Sequence, residues 1–464
     1  MTQRLPVPAA PGPLEDYCQQ FDPLFDQRNQ RDGFRRYLEG LLLPAERNKT
    51  LTALANTEPV VGAQHPRAQS LQWFLSESSW DPAAVNAQRL ALLRAAPVTA
   101  PTGRGVLVID EHGDRKWGSK TAHVGKQYLA NLGKIDNGVV SVSSLWADEH
   151  LYCPLEVEPY TPAPYFQRGK ADPAFRTKLT IGVELVGRAV VARIPFRAVV
   201  ADSFYGEDHG FQQGMRELGV GYVLALQPAH AWWHPLGTIG SLQEVAAAAG
   251  WEGLQEPGDW VQIERSFRDG HTETWWAVEV DRGPYGPEKA HRAIVVTTDP
   301  ATLPERATWD LTTNLPAPGS TRAEEEGALP AADLAEIVRL YGLRMWVEQS
   351  YKQTKAALGW SGYQVRADLA IRRHWALVCC AFSFCWYHHS RSAASGDLPV
   401  ETEPVADEAR GGGKKQQQGG AAAASLLAGG PARGARLARA VDHAVALLDR
   451  VVEGAPATPT SSAA

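Results

Sequence analysis

Two apolar runs in this chain end in an acid. Val106 to Ile109 (VLVI) is closed by Asp110, and Phe196 to Ala201 (FRAVVA) is closed by Asp202. Such runs read as strands buried on both faces. In open α/β sheets, sites form at the carboxyl ends of strands. An aspartate in that place is also a common cap or turn residue. A third acid, Glu348, lies in RLYGLRMWVEQSYKQTKAALGW, which has helical periodicity. At about 100° per residue, Arg344, Glu348, Lys352 and Lys355 all fall within about 60° of Tyr341, on one stripe. Two readings fit that stripe. Arg344, Glu348 and Lys352, spaced i, i+4, i+8, make an ordinary surface salt-bridge ladder. Alternatively, the helix holds a carboxylate rigidly among cations that grip phosphate. Spacing alone does not choose between them.

The elements that would carry these residues follow from patterning. After Val106–Ile109, GVVSVSSLW (138–146) alternates as a half-buried strand and LYCPLEV (151–157) is a third. Residues 175–194 read as a long helix, 196–202 as a fourth strand, 211–218 as a helix and 221–226 as a fifth strand. Three strands in succession, then helix, strand, helix, strand, is a mixed α/β order. Residues 1–100 read as helical, with GFRRYLEGLLL and AQRLALLRAA at helical spacing and Pro44 and Asp81-Pro82 as punctuation. Residues 229–329 are rich in Gly, Pro and Trp with short strand-like pieces, and form a β-rich insertion. One helix is expected over about 331–358 and another over about 368–389. Residues 392–464 collapse into Ala, Gly, Gln and Pro, the composition of a disordered tail. The expected division is therefore a helical domain over 1–100, an α/β domain over 101–228 and 330–391, the insertion over 229–329 and the tail.

Composition sets the outer limits. The 464 residues are 44% hydrophobic and 21% charged, a globular profile with room for two or three domains. The longest apolar run, WALVCCAFSFCWY (375–387), is too short to span a bilayer and reads as a buried helix, so no membrane partner is expected. The five cysteines show no CxxC pair, and the first residues (MTQRLPVPAAPGPLED) do not resemble an export signal; a reducing cytoplasm fits. The net charge of −6 does not advertise a nucleic-acid binder, but residues 338–391 hold eight Lys/Arg against two acids, a local basic stretch able to attract phosphate.

A resemblance draws these pieces together. Tyr341-x2-Arg344-x3-Glu348-x6-Lys355 has every spacing of the Y-R-E-K signature of a large group of bacterial insertion-sequence transposases with an Asp-Asp-Glu site. VLVIDEHGDRKWGSKTAHVGKQYLANLGKIDNGVV resembles the first-Asp block of one subgroup, and FRAVVADSFYG resembles the second-Asp block. The likeness covers about residues 20–390. It implies a ribonuclease-H-like fold whose first Asp ends the first strand, whose second Asp ends the fourth, and whose Glu sits on a later helix, with the insertion before that helix. The strand count above puts Asp110 on strand one and Asp202 on strand four.

On that resemblance Asp110, Asp202 and Glu348 are the catalytic carboxylates and the metal ligands. Two Mg²⁺ ions roughly 4 Å apart would activate a water or 3′-hydroxyl and stabilise the leaving oxygen, with Mn²⁺ able to substitute. Mg²⁺ takes carboxylate oxygen and keeps several waters, so few protein ligands suffice. Asp110 would bridge the ions, with Asp202 and Glu348 each holding one. Arg344, Lys355 and Lys352 would bind DNA phosphates, and Tyr341 would position the strand near the cut. The implied activity is cleavage at the terminal inverted repeats of the element and joining of 3′-hydroxyls to target DNA. The implied partners are double-stranded DNA and a second copy of the chain in a homodimer, in the cytoplasm with the nucleoid.

The chain departs from the group's pattern at Glu111-His112-Gly113 and in its tail. Glu111 is a ligand in place of Asp110 only if the strand slips by one residue, which turns it to the other face. Two other functions are weighed: a decayed relative that binds DNA without cutting it, and a two-carboxylate glycoside hydrolase, which gives no reason for the Tyr-Arg-Glu-Lys spacing. Weaker signals remain. Seven tryptophans (232, 233, 251, 260, 275, 276, 309) lie in the insertion, suited to core packing or to stacking on an extruded base. His230 and His234 are four apart and His388-His389 adjacent, without companions for zinc. Lys116, Lys120, Lys126 and Lys134 follow Asp110 closely, as loop lysines or as a lining of the DNA path. Gln127 and Tyr128 match the family block without an evident role.

Overall fold

The computed structural model describes residues 12–43, 47–233, 239–267, 271–345, 347 and 357–395. The first third is helical: α1 (Pro13–Gln19), α2 (Arg28–Leu42), α3 (Leu51–Leu54), α4 (Pro66–Ser76) and α5 (Pro82–Ala95). Local chemistry sets the starts. Proline opens α4 and α5 in the first turn, where no N–H is needed. Asp81 caps α5 by accepting from the Ala83 N–H at 2.9 Å. In α2, Phe34, Tyr37, Leu38 and Leu41 recur at helical spacing and are all buried.

The centre is a ten-stranded mixed sheet. Its first half comprises β1 (Val106–Arg115), β2 (Gly125–Leu129), β3 (Lys134–Ala147), β4 (Tyr152–Tyr160), then helix α6 (Lys178–Val191), β5 (Ala198–Ala201), α7 (Ser203–Gly206), α8 (His209–Glu217) and β6 (Tyr222–Ala225). A small pair, β7 (Ala231–Trp233) and β8 (Ile239–Ser241), and helix α9 (Leu242–Ala247) precede β9 (Val261–Ser266), β10 (Thr272–Val280), β11 (Arg292–Thr297) and β12 (Thr308–Thr313). The order is β2-β3-β1-β5-β6-β12-β11-β10-β9, with β4 on β3. β1, β5 and β6 run parallel; β3 and β12 flank them antiparallel. Val106 to Ile109 and Ala198 to Ala201 are fully buried, as strands covered on both faces must be. The Trp-rich segment extends this same sheet, because β12 pairs directly with β6. Beneath it Trp232, Leu242, Trp260, Trp276 and Val295 form a second apolar cluster, so most of these tryptophans are core residues.

Helices α10 (Leu334–Gly342) and α11 (Asp368–Ser395) follow. The apolar run 375–387 is buried in α11, which packs against α2, α4, α5 and β4. Two buried arginines tie these pieces. Arg89 of α5 donates to the Pro154 and Leu155 carbonyls of β4 and to Ser383 Oγ of α11. Arg373 of α11 donates to the Leu75, Ser78 and Trp80 carbonyls.

Four expectations need correction. β1 does not stop at Asp110; it continues to Arg115 because the long antiparallel strand β3 pairs with it throughout, from Ala147 back to Gly138. Asp202 follows the fifth strand rather than the fourth, because β2 is a five-residue strand with too little apolar alternation to stand out in sequence. The helix expected over 331–358 is interrupted: α10 ends at Gly342, and Arg344 N–H bonds the Tyr341 carbonyl at 3.0 Å in a three-residue turn. Within the basic stretch 338–391, three arginines are engaged in internal contacts, while Arg366 is exposed. Arg339 pairs with Glu149, Arg372 with Glu158 and Asp368, and Arg373 is buried on carbonyls.

Candidate active site

The register of the parallel pair builds the site. Val106, Leu107 and Val108 lie opposite Ala198, Val199 and Val200. Carried two residues further, the same register sets Asp110 beside Asp202 at the carboxyl end of the pair. Neighbouring strands lie about 4.8 Å apart, so the two carboxylates belong to one small region. Asp202 combines both roles open to it in sequence. Its Oδ1 caps α7 by accepting from the Phe204 N–H at 3.1 Å, while its Oδ2 faces the site.

Arg344 joins the acids. Its Nη2 lies 3.7 Å from Asp110 Oδ1 and 3.7 Å from Asp202 Oδ2. Burial pushes the Asp110 carboxyl up to about 7; nearby Asp202 adds to the rise and Arg344 opposes it. Tyr341 is half-buried beside the same arginine, and burial raises its hydroxyl above the ordinary range. Glu111 points to the opposite face of β1, where it pairs with Lys178 of α6 at 2.7 Å. That pairing answers the register question in favour of Asp110 as the residue facing Asp202. Glu348, Lys352 and Lys355 lie outside the described residues.

Behind Tyr341 stands a group that sequence reasoning missed. The Arg265 guanidinium lies 4.7 Å from the Trp275 ring centre, 4.8 Å from Trp309 and 4.9 Å from Phe267. The Trp309 ring meets Tyr341 edge-on at 5.1 Å. A β carbon on Gly342 would come 2.6 Å from Arg265 Nη2, so the bare last residue of α10 lets the guanidinium lie close against it. This cluster braces the end of the helix that delivers Tyr341 and Arg344. Its members come from β9, β10, β12 and a loop, and no local motif announces them. A second tie lies past α7, where His230 bonds Glu207 at 2.9 Å and the Tyr285 hydroxyl at 2.7 Å.

The donor set fits a hard divalent cation. Two carboxylates offer oxygen from one face of a rigid sheet, as Mg²⁺ requires, and the Arg344 guanidinium shows that positive charge is accommodated between them. Among the described residues no third His, Cys, Asp or Glu completes a metal cluster.

A mixed sheet of this order, with an acid on its central strand and another at the tip of the parallel neighbour, defines a ribonuclease-H-like protein. Comparison with known proteins agrees. The family described as DDE superfamily endonuclease matches residues 20–246, which include Asp110 and Asp202. The chain is 32% identical over 365 residues to a probable transposase for insertion sequence element IS701 from Microchaete diplosiphon, covering 78% of this chain and 84% of that one. This chain belongs to the DDE family of insertion-sequence transposases. Membership of that family answers the sugar-cleaving alternative. No helix among the described residues is long and apolar enough to cross a membrane.

Proposed function

We propose that this protein cuts DNA at the terminal inverted repeats of its own insertion sequence and joins the resulting 3′-hydroxyls to target DNA, acting as a homodimer on paired ends. The observation that carries this reading is the convergence of Asp110 and Asp202, in matching register, on one shared cation, Arg344. Asp110, Asp202 and Glu348 would hold two Mg²⁺ ions. Bound there, the ions would activate the attacking oxygen and stabilise charge on the leaving oxygen.

The chain's own residues do the rest. A sheet buried on both sides fixes the two aspartates, so little reorganisation is left to the moment of reaction. Arg344 supplies positive charge at the acids and, with Lys352 and Lys355, would grip backbone phosphates. Tyr341, braced by Trp309, would set the strand against the carboxylates. The persistence of both described acids on one face supports cleavage over a decayed, binding-only relative.

Incubating the purified protein with Mg²⁺ and the DNA flanking its own gene tests the reading. Cuts at the element ends are expected, absent with a chelator. Glu348→Gln is expected to abolish cutting while sparing end binding; cutting that survives this change would overturn the assignment.

A further inference from the structure

We propose that the β2–β3 hairpin and the segment leading into it, residues 115–135, form a second DNA-contacting surface that holds duplex outside the element without reading its sequence. This rests on the reading of the acid site as one that cuts DNA.

Charge is the first observation. Residues 115–135 contain Arg115, Lys116, Lys120, Lys126 and Lys134 and no acid, in a chain whose net charge is −6. The structure sorts these cations. Lys116 is committed, its Nζ 3.3 Å from the Tyr363 ring centre. Arg115 pairs with Asp136 and stacks on Trp117 at 4.2 Å. Lys120, Lys126 and Lys134 are exposed.

Exposed apolar side chains are the second. Trp117 is 83% exposed, Ile135 69% and Tyr128 53%. Tyr128 and Ile135 are directly opposed in the hairpin. They share its outward face, because Gln127 and Leu129, the neighbours of Tyr128, are buried. Lysines near a sheet edge also discourage strand pairing, but that role gives no reason to expose rings. Exposed lysines beside exposed rings suit the backbone of a duplex, with cations on phosphates and rings against sugars, and neither contact reads a base edge. A second copy of the chain would bring like charge against like charge across a two-fold contact.

Placement is the third. Leu129 lies against Gly113, where an added β carbon would come 2.8 Å from it. The turn end of the hairpin therefore folds back onto β1 three residues past Asp110, about 10 Å along the strand, and its root pairs at Gly138 with Arg115, about 17 Å along it. At 3.4 Å per base pair, a duplex at the acids reaches the patch within about five base pairs. The Asn137 amide, which could read a base, is spent on the Lys116 and Gly118 carbonyls. Contacts blind to sequence suit DNA that differs at every insertion, which is DNA outside the element.

The test compares two duplexes, one stopping at the element end and one continuing about 15 base pairs into the flank. Wild-type protein is expected to bind the longer about tenfold more tightly. The triple change Lys120→Ala, Lys126→Ala, Lys134→Ala is expected to bind both alike, with a log K against log salt slope shallower by two to three. Trp117→Ala is expected to lose part of the same gain. Variants that match wild type, or that lose both duplexes equally, would overturn the proposal, as would a wild type that gains nothing from the flank. Cleavage is scored alongside. A protein that cuts nothing yet loses flank affinity in the triple variant would sink the site reading and keep the surface. Normal cutting with unchanged affinity would sink the surface alone.

Discussion

Arg344 faces two carboxylates at once, so it answers for charge balance in the site and, on the account proposed, for phosphate contact too. Arg344→Ala is expected to weaken binding of element-end DNA and to flatten its salt slope by about one; an unchanged slope in a gel-shift titration would show that the arginine does not touch phosphate. A second residue makes a separate point. Asp310 of β12 is buried, its Oδ1 has no hydrogen-bond partner among the described residues, and burial pushes its carboxyl up to about 7. Its folded pKa lies above the unfolded value of about 3.9. The folded chain therefore holds the extra proton between about pH 4 and 7, and stability falls as pH rises through that window. Asp310→Asn is expected to remove that slope and to stabilise the protein at pH 8 by roughly 1–3 kcal/mol, read by urea unfolding at pH 5 and 8. Parallel profiles for both proteins would contradict it. Asp110 and Asp202 were legible in the sequence because each closes an apolar run. The Lys178 partner of Glu111 was not, since 67 residues separate them and only the packing of α6 on β1 and β3 brings them together.

At the scale of elements, strong periodicity and capping chemistry were readable and pairing was not. Residues 175–194 were expected to be helical; α6 spans Lys178–Val191, started by Thr177 accepting from the Thr180 N–H at 3.0 Å. The reach of β1 beyond Asp110 depends on β3, a long-range partner that no local pattern reveals. The turn at Leu343–Arg344 follows Gly342, a poor helix former in an otherwise helical pattern, and the approach of Arg265 to that glycine is a tertiary contact invisible in a helical wheel. Arg89 shows what such ties are worth. Arg89→Ala would orphan the carbonyls of Pro154 and Leu155 and leave a cavity among α5, β4 and α11. A loss of about 3 kcal/mol or more in unfolding free energy is expected; a change under about 1 kcal/mol would mean that water or neighbours refill the site.

For the whole molecule, the sheet is the organising object. It sets Asp110 beside Asp202, carries the Arg265 cluster from its far strands to the end of α10, and packs the β2–β3 hairpin on β1 beyond Asp110. The sequence suggested a local basic face over 338–391, and folding draws part of it into ion pairs, because Arg339 meets Glu149 and Arg372 meets Glu158 and Asp368. Positive charge open to DNA includes the exposed Lys120, Lys126 and Lys134 of 115–135, within an acidic protein. Binding of element-end DNA is accordingly expected to fall steeply with salt, and a flat response would argue against phosphate as the main contact. The most direct test of the central claim is to count Mn²⁺ bound to the protein on its element-end DNA, by electron paramagnetic resonance. Two ions per site are expected for wild type and fewer for Asp110→Asn, with the DNA still bound. Two ions retained in that variant would contradict a metal site built on Asp110.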